Sequence, residues 1–200
     1  MKRIIQNLSA LLILTFFSVN AIAQTAKNWK LDNLHSNVKF TITHLVISEV
    51  DGSFKTFEGS ISNTKDDFSD ASINFSVDVA SVNTDNASRD GHLKGDDFFN
   101  AEAYPKMTFK STSFKKKSGN KYTLTGDLTI RNVTKKVTFD VTYGGTAKDG
   151  YGNTKAGFKA TGKINRLEYG LKWNTLTEAG GAVVGKDVSI QLNLQFALSK

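Results

Sequence analysis

Val38, Lys39, Phe40, Thr41, Ile42, Thr43 and His44 alternate apolar and polar side chains with period two. A β-strand sends successive side chains to opposite faces, so this stretch reads as a strand with one dry face and one wet face. Its dry face carries Val38, Phe40 and Ile42, and the next position inward is His44. Seven further stretches repeat the pattern, the most regular being Val188, Ile190, Leu192, Leu194, Phe196 and Leu198 with Ser189, Gln191, Asn193 and Gln195 between them. Eight half-apolar strands must shelter their dry faces together, and an antiparallel sheet closed into a barrel does so while removing its exposed edges.

The strands follow one another along the chain. The first runs from about Asn28 to Val46 with a kink near Asn33; the second carries Phe57, Gly59 and Ile61; the third carries Ile73, Phe75, Val77 and Val79. Met107 and Phe109 mark the fourth, Tyr122 to Ile130 the fifth, Val137 to Tyr143 the sixth, and Ala156 to Ile164 the seventh. Turn-forming residues are placed at Asp51, Gly52 and Ser53, at Asp66 to Asp70, at Ser118 to Asn120, and along a glycine-rich loop from Gly144 to Asn153. Between Thr84 and Tyr104 the alternation stops. Asn86 to Leu93 reads there as a short helix capped by Thr84 or Asp85, followed by a helical turn holding Asp97, Phe98 and Phe99. The expected fold is all-β: an eight-stranded antiparallel barrel with a short helical insertion between strands 3 and 4.

Ahead of the barrel, Met1, Lys2 and Arg3 precede an apolar run from Leu8 to Val19 that closes on Ala21, Ile22 and Ala23. This is the pattern of a cleaved secretory signal peptide over residues 1–23, which implies a periplasmic or otherwise exported protein. Residues 24–200 then form a single domain, and the formal charge falls from +7 to +5 as Lys2 and Arg3 leave. There is no cysteine, so packing and hydrogen bonding must hold the domain. The lysines are scattered over polar strand faces or sit at hairpin ends, as at Lys115 to Lys117. That distribution suits a solvated sheet surface and transient contact with an acidic membrane surface better than nucleic acid.

Four ordered motifs stand out: Leu31, Asp32, His35, Ser36, Val38, Phe40, His44, Leu45 and Val46 with Gly52 and Phe54; Arg89, Asp90, His92, Leu93 and Lys94 with Phe98, Phe99, Tyr104, Pro105 and Phe109; Gly126, Leu128, Thr129, Ile130, Val133 and Thr134; and Ile164, Arg166, Tyr169 and Gly170. Together they resemble the YceI-like family of exported lipid-binding proteins. Arg131 and Asn132 stand where similar proteins usually have glycine, in a turn that Asn can still form. The resemblance implies a lipocalin-like barrel whose long cavity holds a polyisoprenoid or similar amphipathic lipid, with no cofactor beyond that guest.

An eight-stranded barrel is either filled by its own side chains or hollow enough for one slender ligand. The inward candidates Phe40, Phe57, Phe75, Phe109, Phe139 and Phe158 leave both outcomes open. An apolar guest is energetically suited to a hollow one. Each buried methylene contributes roughly 0.8 kcal/mol, so about ten offset the ~8 kcal/mol of a micromolar complex. Among polar candidates, His44 is either a ligand contact or a satisfied core residue. Arg89 and Asp90, beside His92, either lock the helix to the barrel or receive a head group. Arg166 follows the inward parity of Ile164, and Tyr169 and Trp173 suggest an aromatic lip.

Two other function classes are compatible with parts of the pattern. A small outer-membrane barrel would turn its apolar face outward to lipid. A metal-dependent enzyme would need His35, His44 and His92 to converge without any short ligand spacing, and no nucleophile motif accompanies them. The reading carried forward is a binding protein rather than an enzyme, with no metal, monomeric or paired as a homodimer.

Overall fold

The computed structural model of the chain describes residues 25–177 and 180–199. The expected signal peptide, residues 1–23, lies outside the described residues. Eleven strands, one α-helix and three 3₁₀ turns follow in order: β1 (Lys27–Leu31), β2 (Asn37–His44), β3 (Ser48–Phe54), β4 (Phe57–Asn63), β5 (Ser72–Asp78), β6 (Val82–Asn83), α1 (Ala87–Lys94), β7 (Lys106–Ser118), β8 (Lys121–Ile130), β9 (Val133–Lys148), β10 (Thr154–Asn165) and β11 (Val184–Leu198).

These eleven segments make eight staves. A 3₁₀ turn at Asn33–His35 divides the first stave into β1 and β2, Lys55 and Thr56 divide the second into β3 and β4, and Val79–Ser81 divides the third into β5 and β6. Each stave pairs antiparallel with the next. The long β11 closes the ring, pairing with β2 through Val188↔Ile42 to Asn193↔Asn37 and with β1 through Phe196↔Leu31 to Leu198↔Trp29. The result is a closed, lipocalin-like, eight-stranded up-and-down barrel with α1 between the third stave and β7. Closure pairs the staves on both sides over most of their length; at the mouth end, β3 before Ser53 and the far side of β6 have no sheet partner among the described residues.

Because the staves alternate in direction, the connections fall at two ends. One end gathers the turns 64–71, 119–120 and 149–153 together with both strand termini. The other gathers the β2–β3 tip, the segment 84–105, the β8–β9 turn and the connection 166–183.

Three local expectations are corrected. Asp51, Gly52 and Ser53 are not a turn but lie inside β3, because Gly52 stands directly opposite Phe40 and accommodates its ring. The glycine-rich loop is shorter than expected. β9 continues through Gly144 and Gly145, where φ of +109° marks an irregularity opposite Gly157, and only 149–153 turns back. The helix is capped one or two residues later than expected, by Asn86, whose side-chain oxygen accepts from the Arg89 N–H at 3.0 Å. The helical turn expected at Asp97, Phe98 and Phe99 is present as a turn, in which the Phe98 N–H donates to the Gly95 carbonyl at 3.1 Å.

The end holding the strand termini is sealed by aromatic rings. Phe68 folds inward from the 64–71 turn with φ of +60° and is 2% exposed. Its ring lies 5.2 Å from Trp29, 5.3 Å from Tyr143 and 5.2 Å from Phe158. Phe114 stacks on Tyr122 at 4.8 Å, and Phe196 meets Phe158 edge-on. The polar tips of this plug are satisfied. Trp29 Nε1 donates to Asn63 Oδ1 at 2.7 Å, and the Tyr122 hydroxyl donates to the Asp67 carbonyl at 2.7 Å.

Candidate functional site

Above that plug the barrel is hollow. A cavity of about 370 Å³ runs from Phe68, Phe114 and Phe158 at its floor to His44, Arg89, Trp173 and Val184 at the far end. It is within the size range of small-molecule pockets. The walls come from the dry faces of the staves, among them Val38, Phe40 and Ile42 of β2 and Val188, Ile190, Leu192 and Leu194 of β11.

The cavity survives the abundance of phenylalanine because four rings lie flat on glycines of the neighbouring stave. Phe40 covers Gly52, Phe75 covers Gly59, Phe109 covers Gly126 and Phe139 covers Gly162. A Cβ on any of these glycines would sit 2.2–2.6 Å from the ring, closer than atoms can pack. Each ring therefore occupies the space a neighbouring side chain would have filled, and lies along the wall rather than across the bore. Phe40↔Gly52 and Phe75↔Gly59 are direct cross-strand partners, the arrangement in which an aromatic residue shields the backbone of a strand glycine.

Polar lining is sparse and one-sided. It comprises Lys39, Thr43, His44, Thr84, Arg89, His92, Thr108 and Arg166, and no Asp or Glu is among the described lining residues. Arg166 is 2% exposed. Its Nε donates to the Gly185 carbonyl at 2.8 Å, Nη1 to Leu171 at 2.8 Å and Nη2 to Val184 at 3.0 Å. The guanidinium also stands 5.8 Å from the centre of the Phe98 ring. Burial lowers its pKa from the ordinary guanidinium value. Even so, an arginine stays protonated at neutral pH. A buried cation bonded only to carbonyls thus faces an apolar space, which favours electron-rich oxygen on a guest.

Most expected site residues do meet at this cavity. Phe40, Ile42, His44, Phe75, Arg89, His92, Phe98, Phe99, Phe109, Phe139, Phe158, Arg166 and Trp173 all line it. Trp173 stacks on Phe98 at 5.8 Å, and His92 meets both rings edge-on while its Nε2 contacts Asp97 at 3.1 Å. Three expected residues stand elsewhere. Phe57 is buried and stacks on Phe75 at 6.0 Å, outside the cavity lining. Asp90 turns back to accept from the Thr84 N–H at 2.8 Å and hydroxyl at 2.6 Å, closing the loop before α1. Tyr169 is 2% exposed within the turn 166–169 rather than forming a lip; its hydroxyl has no partner among the described residues, and burial, with Glu168 nearby, raises its pKa to about 12.

Arg89 does not lock the helix to the barrel either: its guanidinium bonds Thr84 Oγ1 and the Thr84 carbonyl, within its own segment. The lock is Arg131, which the sequence reading passed over as a turn residue. Its Nη1 donates to the carbonyls of Asp96, Phe98 and Gly170, and its Nη2 pairs with the Asp96 carboxylate at 3.0 Å. Arg131 and Asn132 both have positive φ, so the side chain leaves a tight hairpin aimed at the helical segment. A non-glycine residue in a two-residue turn was the available signal.

The three histidines do not converge. His35 is exposed beside Asp32, His44 lies in the wall, and His92 belongs to α1. Among the described residues, no three His, Asp or Glu side chains gather in a way that could hold a metal ion.

The YceI-like domain family matches residues 29–196 of the chain. A UPF0312 protein of Staphylococcus aureus is 37% identical over 174 residues, covering 86% of this chain and 99% of that protein. The crystal structure of the Campylobacter jejuni YCEI protein is 36% identical with a TM-score of 0.66, covering 79% of this chain and 90% of that one. A polyisoprenoid binding domain from Saccharophagus degradans has a TM-score of 0.65 over 86% of this chain and 98% of its own length; at 16% identity it speaks for the fold alone. With the matched segment running from β1 into β11, the chain belongs to the YceI-like family.

Proposed function

We propose that this barrel is an exported carrier or store for one amphipathic lipid, a polyisoprenoid or a similarly slender chain. The tail lies along the cavity and the head group sits among His44, Arg89 and Arg166. The observation that carries this reading is the apolar cavity of about 370 Å³ kept open by rings laid on glycines. A protein stabilised only by its core gains nothing from leaving that volume empty, since cavities cost stability in proportion to their size. The Saccharophagus degradans domain, described as polyisoprenoid-binding, shares this barrel fold.

Binding without catalysis suits the site. Among the described lining residues there is no carboxylate, and the best-placed polar group, Arg166, directs donors to three carbonyls. An outer-membrane barrel is disfavoured by polarity. The apolar faces point inward, while outward positions such as Lys110 and Lys159 are charged, the reverse of a lipid-embedded wall. Homodimer formation and passing contact with a membrane are compatible with the carrier role.

Organic extraction of protein purified from its own source, followed by mass spectrometry, tests the reading. One isoprenoid or fatty lipid per chain, recovered from the exported fraction, is the expected result. Protein that carries no lipid and takes up none from an isoprenoid alcohol offered in detergent would overturn it.

A further inference from the structure

Two hairpins at the mouth end turn through two residues with positive φ, and they differ in one respect. Between β8 and β9 the pair is Arg131 and Asn132, with φ of +50° and +61°. Between β2 and β3 it is Leu45 and Val46, with φ of +51° and +67°, and the Ile47 N–H closes the turn on the His44 carbonyl at 3.2 Å. Such a turn favours Asn and Gly, and a β-branched residue with positive φ is strained. The strain is accompanied by exposure: Val46 is 66% exposed and Ile47 86%. Three consecutive apolar residues held in water on a strained tip gain nothing for the barrel itself.

The tip is continuous with the cavity. The Leu45 N–H donates to the Val183 carbonyl at 2.8 Å, and His44, Val183 and Val184 all line the cavity. Val46 packs on Gly181, where a Cβ would stand 3.0 Å from Val46 Cγ2. The adjoining Ala182 bridges Leu176, itself 61% exposed. Leu45, Val46, Ile47 and Leu176 thus form an apolar rim that begins where the apolar lining ends. Among the described residues, the large exposed apolar side chains of the sealed half are Leu34 and Tyr151.

Resting on the carrier reading above, we propose that this rim is a wedge that seats the mouth in a lipid bilayer, so that a guest passes between bilayer and cavity without crossing water. A small cluster of apolar side chains penetrates the boundary between head groups and acyl chains, and its binding scales with the apolar area buried there. A second copy of the chain is the competing occupant. A bilayer is favoured because only it would also supply the proposed guest at the place where the cavity opens.

The test compares the chain from residue 24 onward, which contains every strand of the closed barrel, with a Leu45→Asn, Val46→Gly, Ile47→Ser variant. The substitutions give the turn the residues it prefers, so the variant folds at least as stably. Both are sedimented with zwitterionic phosphatidylcholine vesicles in about 1 M NaCl, where a Debye length of ~3 Å removes attraction due to net charge. The parent is expected to partition onto the vesicles at least about tenfold more than the variant. Both should take up a fluorescent fatty acid from solution equally. Equal partitioning, or a parent that stays in the supernatant while still taking up the fatty acid, overturns the wedge and leaves the carrier reading intact. Failure of both proteins to take up the fatty acid strikes the carrier reading instead. A concentration-dependent dimer that the variant abolishes, without vesicle binding, assigns the rim to self-association and also overturns the wedge.

Discussion

The two ends of the barrel handle polar groups and backbone geometry in opposite ways. At the sealed end, Trp29, Phe68, Phe114, Tyr122, Phe158 and Phe196 interlock, and the Trp29 and Tyr122 polar tips are both bonded. At the mouth, Arg166 donates to three carbonyls, the Tyr169 hydroxyl has no partner among the described residues, and Leu45 and Val46 take positive φ. The contrast shows a division of labour within one sheet. Packing that stabilises is concentrated at one end, and the departures from local preference gather at the other, where functional sites place them.

Truncating the plug should have the largest effect. Phe68→Ala removes a ring in contact with three others, so a loss of about 3–5 kcal/mol in urea or thermal unfolding is expected. A loss under about 1 kcal/mol would mean that Phe68 is not the keystone of that end.

At the mouth, Arg166→Met keeps volume but leaves the carbonyls of Leu171, Val184 and Gly185 without their donor. The expected cost is about 2–3 kcal/mol, with faster amide hydrogen exchange in the 166–185 connection than in β8. Unchanged exchange there would remove Arg166 as the organiser of the mouth.

The seam between β1 and β2 offers a pH-dependent probe of the sealed half. Burial alone would raise the Asp32 carboxyl, but hydrogen bonds from Lys155 at 2.9 Å, His35 at 3.1 Å and Gln195 at 3.1 Å bring it from 3.8 down to about 2. A carboxyl depressed on folding stabilises the protein above its unfolded pKa, and that contribution fades as pH falls from about 4 toward 2. Asp32→Asn should therefore cost about 2 kcal/mol at neutral pH and almost nothing near pH 2, as read from urea unfolding at several pH values. A cost independent of pH would place the Asp32 contribution in packing rather than charge.

The smallest stability change should come with the clearest functional one. In Gly52→Ala the atoms nearest the new methyl are those of the Phe40 ring, which must shift and which lines the cavity. The expected destabilisation is about 1 kcal/mol, while affinity for a long-chain lipid, measured by fluorescence titration, drops several-fold because the bore narrows near its mouth. Undiminished affinity would show that the rings on glycine do not set the width of the cavity.

Much of this architecture was legible from residue spacing. The alternation of β2 and β11, the helix after Thr84 and the inward parity of most cavity residues are local patterns carried by neighbours two to four positions apart. What misled was also local: Asp51, Gly52 and Ser53 look like a turn by composition, yet Gly52 is a strand residue needed by Phe40 twelve positions earlier. Arg131 likewise looked like turn chemistry, while its partners Asp96, Phe98 and Gly170 lie more than thirty positions away.

Period-two alternation and strand count are written in the chain itself, because each strand's inward and outward faces follow from backbone geometry alone. Whether the enclosed space is filled or hollow was decided only in the folded barrel. It depends on which phenylalanine lands opposite which glycine, and that register is set by pairing between distant strands, where one residue of slip would reverse every face.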